Sequence, residues 1–123
     1  MILVLSSCGA DGSSSLQFKK IGPDIYTVSF PRDVATSKIE SAAKSQCGNA
    51  NICQVLGWND QSKVAQALPM TDPEVISQVF NFTLNRNTGL EEAKWECGAY
   101  PSIPKDRCFD APTKEDLEES GSE

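Results

Sequence analysis

Four cysteines, Cys47, Cys53, Cys97 and Cys108, arrive as two close pairs, and they constrain the fold more than any other feature. Five residues separate the members of the first pair and ten separate those of the second. Four cysteines allow three pairings. Pairing within each couple closes a short loop of turn-forming residues. Gly48-Asn49-Ala50-Asn51 lies in the first loop and Tyr100-Pro101-Ser102-Ile103-Pro104 in the second. The expectation is therefore Cys47–Cys53 and Cys97–Cys108, each bridge contributing roughly 2–3 kcal/mol through loss of loop entropy in the unfolded chain. A structural zinc site usually shows two to four residues between paired ligands, and neither spacing fits. A redox Cys-x-x-Cys is absent. Free buried thiols in a cytosolic protein are the competing reading; disulfides in an oxidising compartment such as a periplasm rank first.

The chain of 123 residues supports one small domain. It contains no histidine. That removes Ser-His-Asp and Cys-His nucleophile pairs and imidazole-based metal sites, so neither a metal nor a cofactor is expected. Seventeen acids stand against eleven bases, for a formal charge of −6. Six of those acids and only one base, Lys114, fall between Phe109 and Glu123, so residues 1–108 are nearly neutral. With Leu117 as its one large aliphatic after Phe109, the acidic segment 110–123 reads as a disordered tail. The lack of a basic surplus argues against nucleic acid as a partner.

The amino end carries a different signal. Leu5-Ser6-Ser7-Cys8 resembles the lipobox of bacterial lipoproteins, in which an aliphatic and two small residues precede a cysteine. The resemblance implies that Cys8 becomes the lipidated first residue of the mature protein. Asp11-Gly12-Ser13-Ser14-Ser15 resembles the flexible tether that follows such a site. No Lys or Arg precedes Cys8, and the apolar run is shorter than the roughly 7–15 residues of a signal peptide. Two explanations stay open, a start upstream of Met1 or a chance match. The resemblance covers residues 1–15 and does not extend to the body.

Residues 16–109 read as a globular α+β domain in the approximate order ββαβ(α)ββ. One mixed or antiparallel sheet, one main helix and two disulfides are expected. Gly22-Pro23-Asp24 marks a first hairpin turn, and Tyr26, Val28 and Phe30 alternate with polar residues as a half-buried strand does. Asp33 is placed to cap a helix over Val34–Gln46, which Gly48 stops. Ile52–Trp58 reads as a buried strand, and the segment from Val28 to Val55 as a possible βαβ crossover. A short helix is expected over Gln61–Leu68, capped by Asn59-Asp60 and ended by Pro69. Asp72-Pro73-Glu74 starts another helix. Phe80, Phe82 and Leu84 then alternate as a strand, Asn87-Thr88-Gly89 turns, and Ala93, Trp95 and Cys97 alternate on the return. The candidate core is Phe18, Tyr26, Val28, Phe30, Ile39, Ile52, Val55, Leu56, Phe80, Phe82, Leu84 and Trp95.

Candidate partner-binding residues are Trp58 and Asp60 at a strand end, Arg86 at a hairpin tip, and Tyr100 and Arg107 in the proline-stiffened loop. Each has a plainer role as core, cap or turn residue. Glu91, Glu92, Asp72 and Glu74 could in principle supply paired carboxylates, but nothing in the sequence fixes their separation. Three functions follow. The first is a non-enzymatic, exported cell-envelope lipoprotein that binds an envelope protein or other envelope component. It would sit on the periplasmic side of a bacterial membrane through a lipid anchor alone, or else be secreted. The second is an inhibitor or immunity-type lipoprotein that inserts the Tyr100–Arg107 loop into an enzyme. The third is a small carboxylate-dependent hydrolase, which ranks last because the chain lacks histidine.

Overall fold

A computed structural model describes residues 16–110. The lipobox, Cys8, the tether and the tail beyond Asp110 lie outside the described residues. The chain folds as a small α+β domain on one six-stranded mixed sheet whose strand order follows the sequence. Strands β1 (Gln17–Gly22) and β2 (Ile25–Ser29) form an antiparallel hairpin, with Asp24 supplying the left-handed backbone of the turn at φ 59°. Helix α1 (Thr36–Cys47) then carries the chain to β3 (Ile52–Trp58), which pairs parallel to β2. That is the βαβ crossover the sequence pattern anticipates. Strands β4 (Phe80–Asn85) and β5 (Leu90–Glu96) continue antiparallel, joined by a turn with Gly89 at φ 80°. A two-residue strand, β6 (Cys108–Phe109), closes the sheet parallel to β5.

Both faces of the sheet carry cover. On one face, Ile39, Ala43 and Cys47 form a stripe at four-residue spacing along α1 and bury against Val28, Val55, Phe80, Phe82, Leu84 and Trp95. Tyr100 and Ile103 of the loop after β5 complete this core. Trp95 packs between Phe80 and Tyr100 with tilted rings, the centroids 4.5 and 4.8 Å away. Gly57 is required here by close approach: a Cβ would stand 2.8 Å from the Phe80 Cβ. On the other face, Leu56 and Trp58 bury beneath the connection between β3 and β4, packing with Ala65, Val64 and Met70. This connection contains a 3-10 turn (Gln61–Lys63) and the short helix α2 (Asp72–Ser77).

Both expected disulfides are present. Cys47–Cys53 ties the end of α1 to β3, with Cα atoms 5.8 Å apart, and Cys97–Cys108 ties the end of β5 to β6, at 5.5 Å. The structure corrects several local expectations. Helix α1 starts at Thr36 rather than Val34, because Pro31–Val34 is already folded into a turn by the Val34 N–H to Pro31 bond. Ala35 occupies the cap position without a side-chain bond, so Asp33 is not the cap. The helix expected over Gln61–Leu68 shrinks to the 3-10 turn, since Val64 and Ala65 are drawn onto the sheet. Strand β5 ends at Glu96, before Cys97. Ile52 is not core: it is 51% exposed, on the sheet face opposite α1. Phe18 and Tyr26 are half-buried at the margin of the main core.

Candidate functional site

A cleft of about 430 Å³ lies between α1 and β5. Glu40, Ser41 and Lys44 line it from α1, Phe82 forms part of its floor, Glu91, Glu92 and Ala93 come from β5, and Asp106 and Arg107 close one end. Helical spacing explains the first wall. Glu40 and Lys44 are four residues apart, beside the buried Ile39 and Ala43, so both charges stand at the margin of the core stripe.

Glu40 organises the cleft. Its Oε2 accepts a hydrogen bond from the Trp95 indole N–H at 2.7 Å and stands 3.4 Å from Nη2 of Arg107. Trp95 is fully buried, so this carboxylate satisfies an indole that has no access to water. Arg107 is held less completely. Its Nε is buried and has no hydrogen-bond partner among the described residues. An unpaired buried donor costs about 1–3 kcal/mol, so the guanidinium is not saturated by Glu40. At the other end Lys44 pairs with Glu91 at 3.1 Å, while the Glu92 side chain leaves the opposite face of β5, where Lys94 approaches it at 3.9 Å. These outer pairs are exposed and contribute ~1 kcal/mol or less each. The cleft is thus a polar, mixed-charge groove with one fixed carboxylate and one under-satisfied guanidinium. That arrangement suits recognition of polar or peptide groups.

Of the partner-binding residues singled out from the sequence, only Arg107 lines this cleft; Glu91 and Glu92, considered there as paired carboxylates, border it from β5. Tyr100 lies beneath it, 7% exposed, against Trp95, and its hydroxyl accepts a 3.4 Å bond from Asn59 Nδ2. Burial pushes its phenol pKa up, partly offset by the Asn59 bond and by Arg32. Trp58 is fully buried on the opposite face, where its indole donates to the Glu74 carbonyl at 2.9 Å. It is a core residue, not a surface platform. Asp60 caps the 3-10 turn. Its carboxylate accepts from the Ser62 hydroxyl at 2.7 Å and from the Ser62 N–H at 3.0 Å, and these bonds hold its pKa below the ordinary value. Arg86 clamps the β4–β5 hairpin to the loop after α1, through Nε to Ala50 at 2.9 Å and Nη2 to Gly48 at 2.8 Å. Those donors serve the fold.

The carboxylates considered for acid–base work do not converge. Glu91 and Glu92 are neighbours on a strand, so their side chains leave opposite faces. Asp72 and Glu74 belong to α2, on the far side of the sheet, where Glu74 also closes a capping box with Thr71. Among the described residues no group of three His, Cys, Asp or Glu side chains is placed to hold a metal ion. No described helix is long and apolar enough to cross a membrane.

Sequence reading missed Glu40, Lys44 and Asp106. The four-residue spacing of Glu40 and Lys44 beside the α1 stripe was the available signal for the first two. No protein-family model, curated protein or solved structure matches this chain.

Proposed function

We propose that this protein is an exported cell-envelope lipoprotein, anchored through Cys8, that acts as a non-enzymatic binding module and presents the Glu40–Arg107 cleft to an envelope partner. The observation that carries this reading is the pair of disulfides, Cys47–Cys53 and Cys97–Cys108. Such bonds persist in oxidising compartments and are rare in a reducing cytosol. The lipobox-like Leu5-Ser6-Ser7-Cys8 supplies the address, and residues 9–15 supply reach from a membrane surface. The cleft supplies the binding chemistry, because its charges are fixed by Trp95 and by each other rather than arranged as an acid–base couple.

The intact mass of the chain recovered from a membrane fraction tests the address and the bridges together. A diacylated start at Cys8, with the body four hydrogens lighter than the fully reduced sequence, is expected. A mass with all five thiols free overturns the export argument. Site-specific photo-cross-linking from position 41 in intact cells tests the cleft. A discrete adduct is expected from Ser41 that the Arg107→Ala substitution removes, with none from Lys63 on the opposite cover. Equal adducts from both positions would remove the cleft from the proposal.

A further inference from the structure

The cleft borders a sheet edge that is open along most of its length. Strand β6 pairs only with Trp95 and Glu96, which leaves Leu90–Lys94 of β5 without a strand partner on that side among the described residues. The ladder itself shows which groups are free. The Glu96 N–H donates to the Val79 carbonyl at 2.9 Å, so even-numbered residues of β5 bond towards β4. The N–H and C=O groups of Glu91 and Ala93 therefore point outward from the edge. The β4–β5 register is continuous from Phe80↔Trp95 to Asn85↔Leu90 and contains no bulge. The opposite edge differs. Strand β1 carries a register shift between Lys20 and Gly22 and two lysines, devices that deter edge pairing.

We propose that the open β5 edge takes an extended, basic segment of another polypeptide as an added strand, whose inward-facing Lys or Arg side chains enter the Glu40–Arg107 cleft. This proposal rests on the binding-module reading above and names its partner class. Backbone bonds to Glu91 and Ala93 provide the register, and alternate side chains of the added strand fall on the α1 side. Charge decides the occupant. Three carboxylates, Glu40, Glu91 and Asp106, face the cleft against two cations, and each cation already lies against a carboxylate of the cleft, Lys44 with Glu91 and Arg107 with Glu40. Residues 1–15 and 111–123 have the wrong sign: the latter carry five acids and one base, and the former carry Asp11 and no base. A second copy approaching by the same edge in a register centred on Glu91 or Glu92 would bring like charges together.

Titration of the ¹⁵N-labelled full chain with an alternating lysine–valine hexapeptide tests this directly. Saturable shifts are expected at the amides of residues 90–94 and at the Trp95 indole N–H, with the Trp58 indole unmoved. The same peptide methylated on alternate backbone nitrogens, and its glutamate–valine counterpart, should each bind at least about tenfold more weakly. Ala93→Pro removes one outward donor, a position where an edge strand tolerates proline, and should cost a similar factor. Equal binding by the methylated peptide overturns strand addition, and equal binding by the acidic peptide overturns the charge argument. Concentration-dependent shifts of the same amides without peptide would assign the edge to a second copy and overturn the basic partner. If no peptide binds while the position-41 cross-link still depends on Arg107, the occupant proposed here fails and the binding-module reading stands.

Discussion

The two coverings of the sheet are built by different means. On the α1 side the cover is continuous and cross-linked. The helix is bridged to β3 at its end, the loop after β5 is bridged to β6, and Trp95 sits fully buried between Phe80 and Tyr100. On the other side the connection from β3 to β4 lies over only part of the sheet. It buries Leu56, Trp58 and Ala65 and is held by Trp58's bond to a carbonyl, a capping box and the Asp60 turn. Each covering has one buried tryptophan, so the pair is a controlled comparison. The difference predicts that most of the stability resides with the cleft on the cross-linked side, while the second cover shields β3.

The largest expected effect comes from the tryptophans. Trp95→Ala should cost about 5 kcal/mol and Trp58→Ala about 3 kcal/mol, the upper and lower ends for large aromatic truncations. Truncating Trp95 loses two aromatic contacts and leaves Glu40 without its indole partner, whereas truncating Trp58 loses a smaller cluster. Urea unfolding followed by far-UV circular dichroism measures both. Equal losses would mean that the two covers contribute alike, and the comparison would break.

How much of this was legible in the sequence also divides along these lines. The main core was largely readable. Period-two alternation placed Phe80, Phe82 and Leu84 on one face, and helical spacing marked Ile39 and Ala43. The close cysteine pairs and their turn residues gave the bridges. The second cover was not readable as a helix because Val64 and Ala65 gain more by lying against Trp58 than by completing a turn. The largely apolar run Ile52–Trp58, interrupted only by Gln54, hid the fact that Ile52 emerges beyond the part of the sheet this cover reaches. Strand β6 has two residues, too few for any pattern, and exists only through pairing with β5. Glu40 was invisible as a site residue for the same reason: its partners, Trp95 and Arg107, come from elements more than fifty residues away in sequence.

The bridge that closes the loop after β5 gives the next effect. Replacing Cys97 and Cys108 together by Ala should lower stability by about 3 kcal/mol, the loop-entropy value for a closure of this length. Hydrogen exchange sharpens the comparison. Amides of residues 98–107 should lose protection while those of residues 71–77 keep theirs. Loss across both covers at once would show that they unfold as one unit.

Within the second cover, Thr71→Ala tests how much a local device matters. The Thr71 hydroxyl accepts from the Glu74 N–H, and Glu74 returns a bond to the Thr71 N–H at 2.8 Å. Loss of such a cap typically costs about 1 kcal/mol. Faster exchange confined to α2, with the cleft amides unaffected, is expected; a change at the Trp95 indole would contradict the separation of the two sides.

The smallest contrast is in pH dependence, because each cover carries one shifted group. Burial raises the Tyr100 pKa above its ordinary value of 10.0, so the folded state prefers the neutral phenol. Its contribution is whole below that value and declines as pH rises towards the folded pKa, when the buried phenol must ionise. Asp60 shifts in the other direction, since the two Ser62 bonds lower its pKa below 3.8. Its contribution is present above the unfolded value and disappears as pH falls through the folded one. Asp60 is fully exposed, so solvent screens its bonds and its effect should be the lesser of the two. Thermal midpoints across both limbs check this. Tyr100→Phe should flatten the alkaline decline, and Asp60→Asn should reduce the acid decline slightly. An unchanged alkaline limb in Tyr100→Phe would mean that some other group on the cross-linked side governs it.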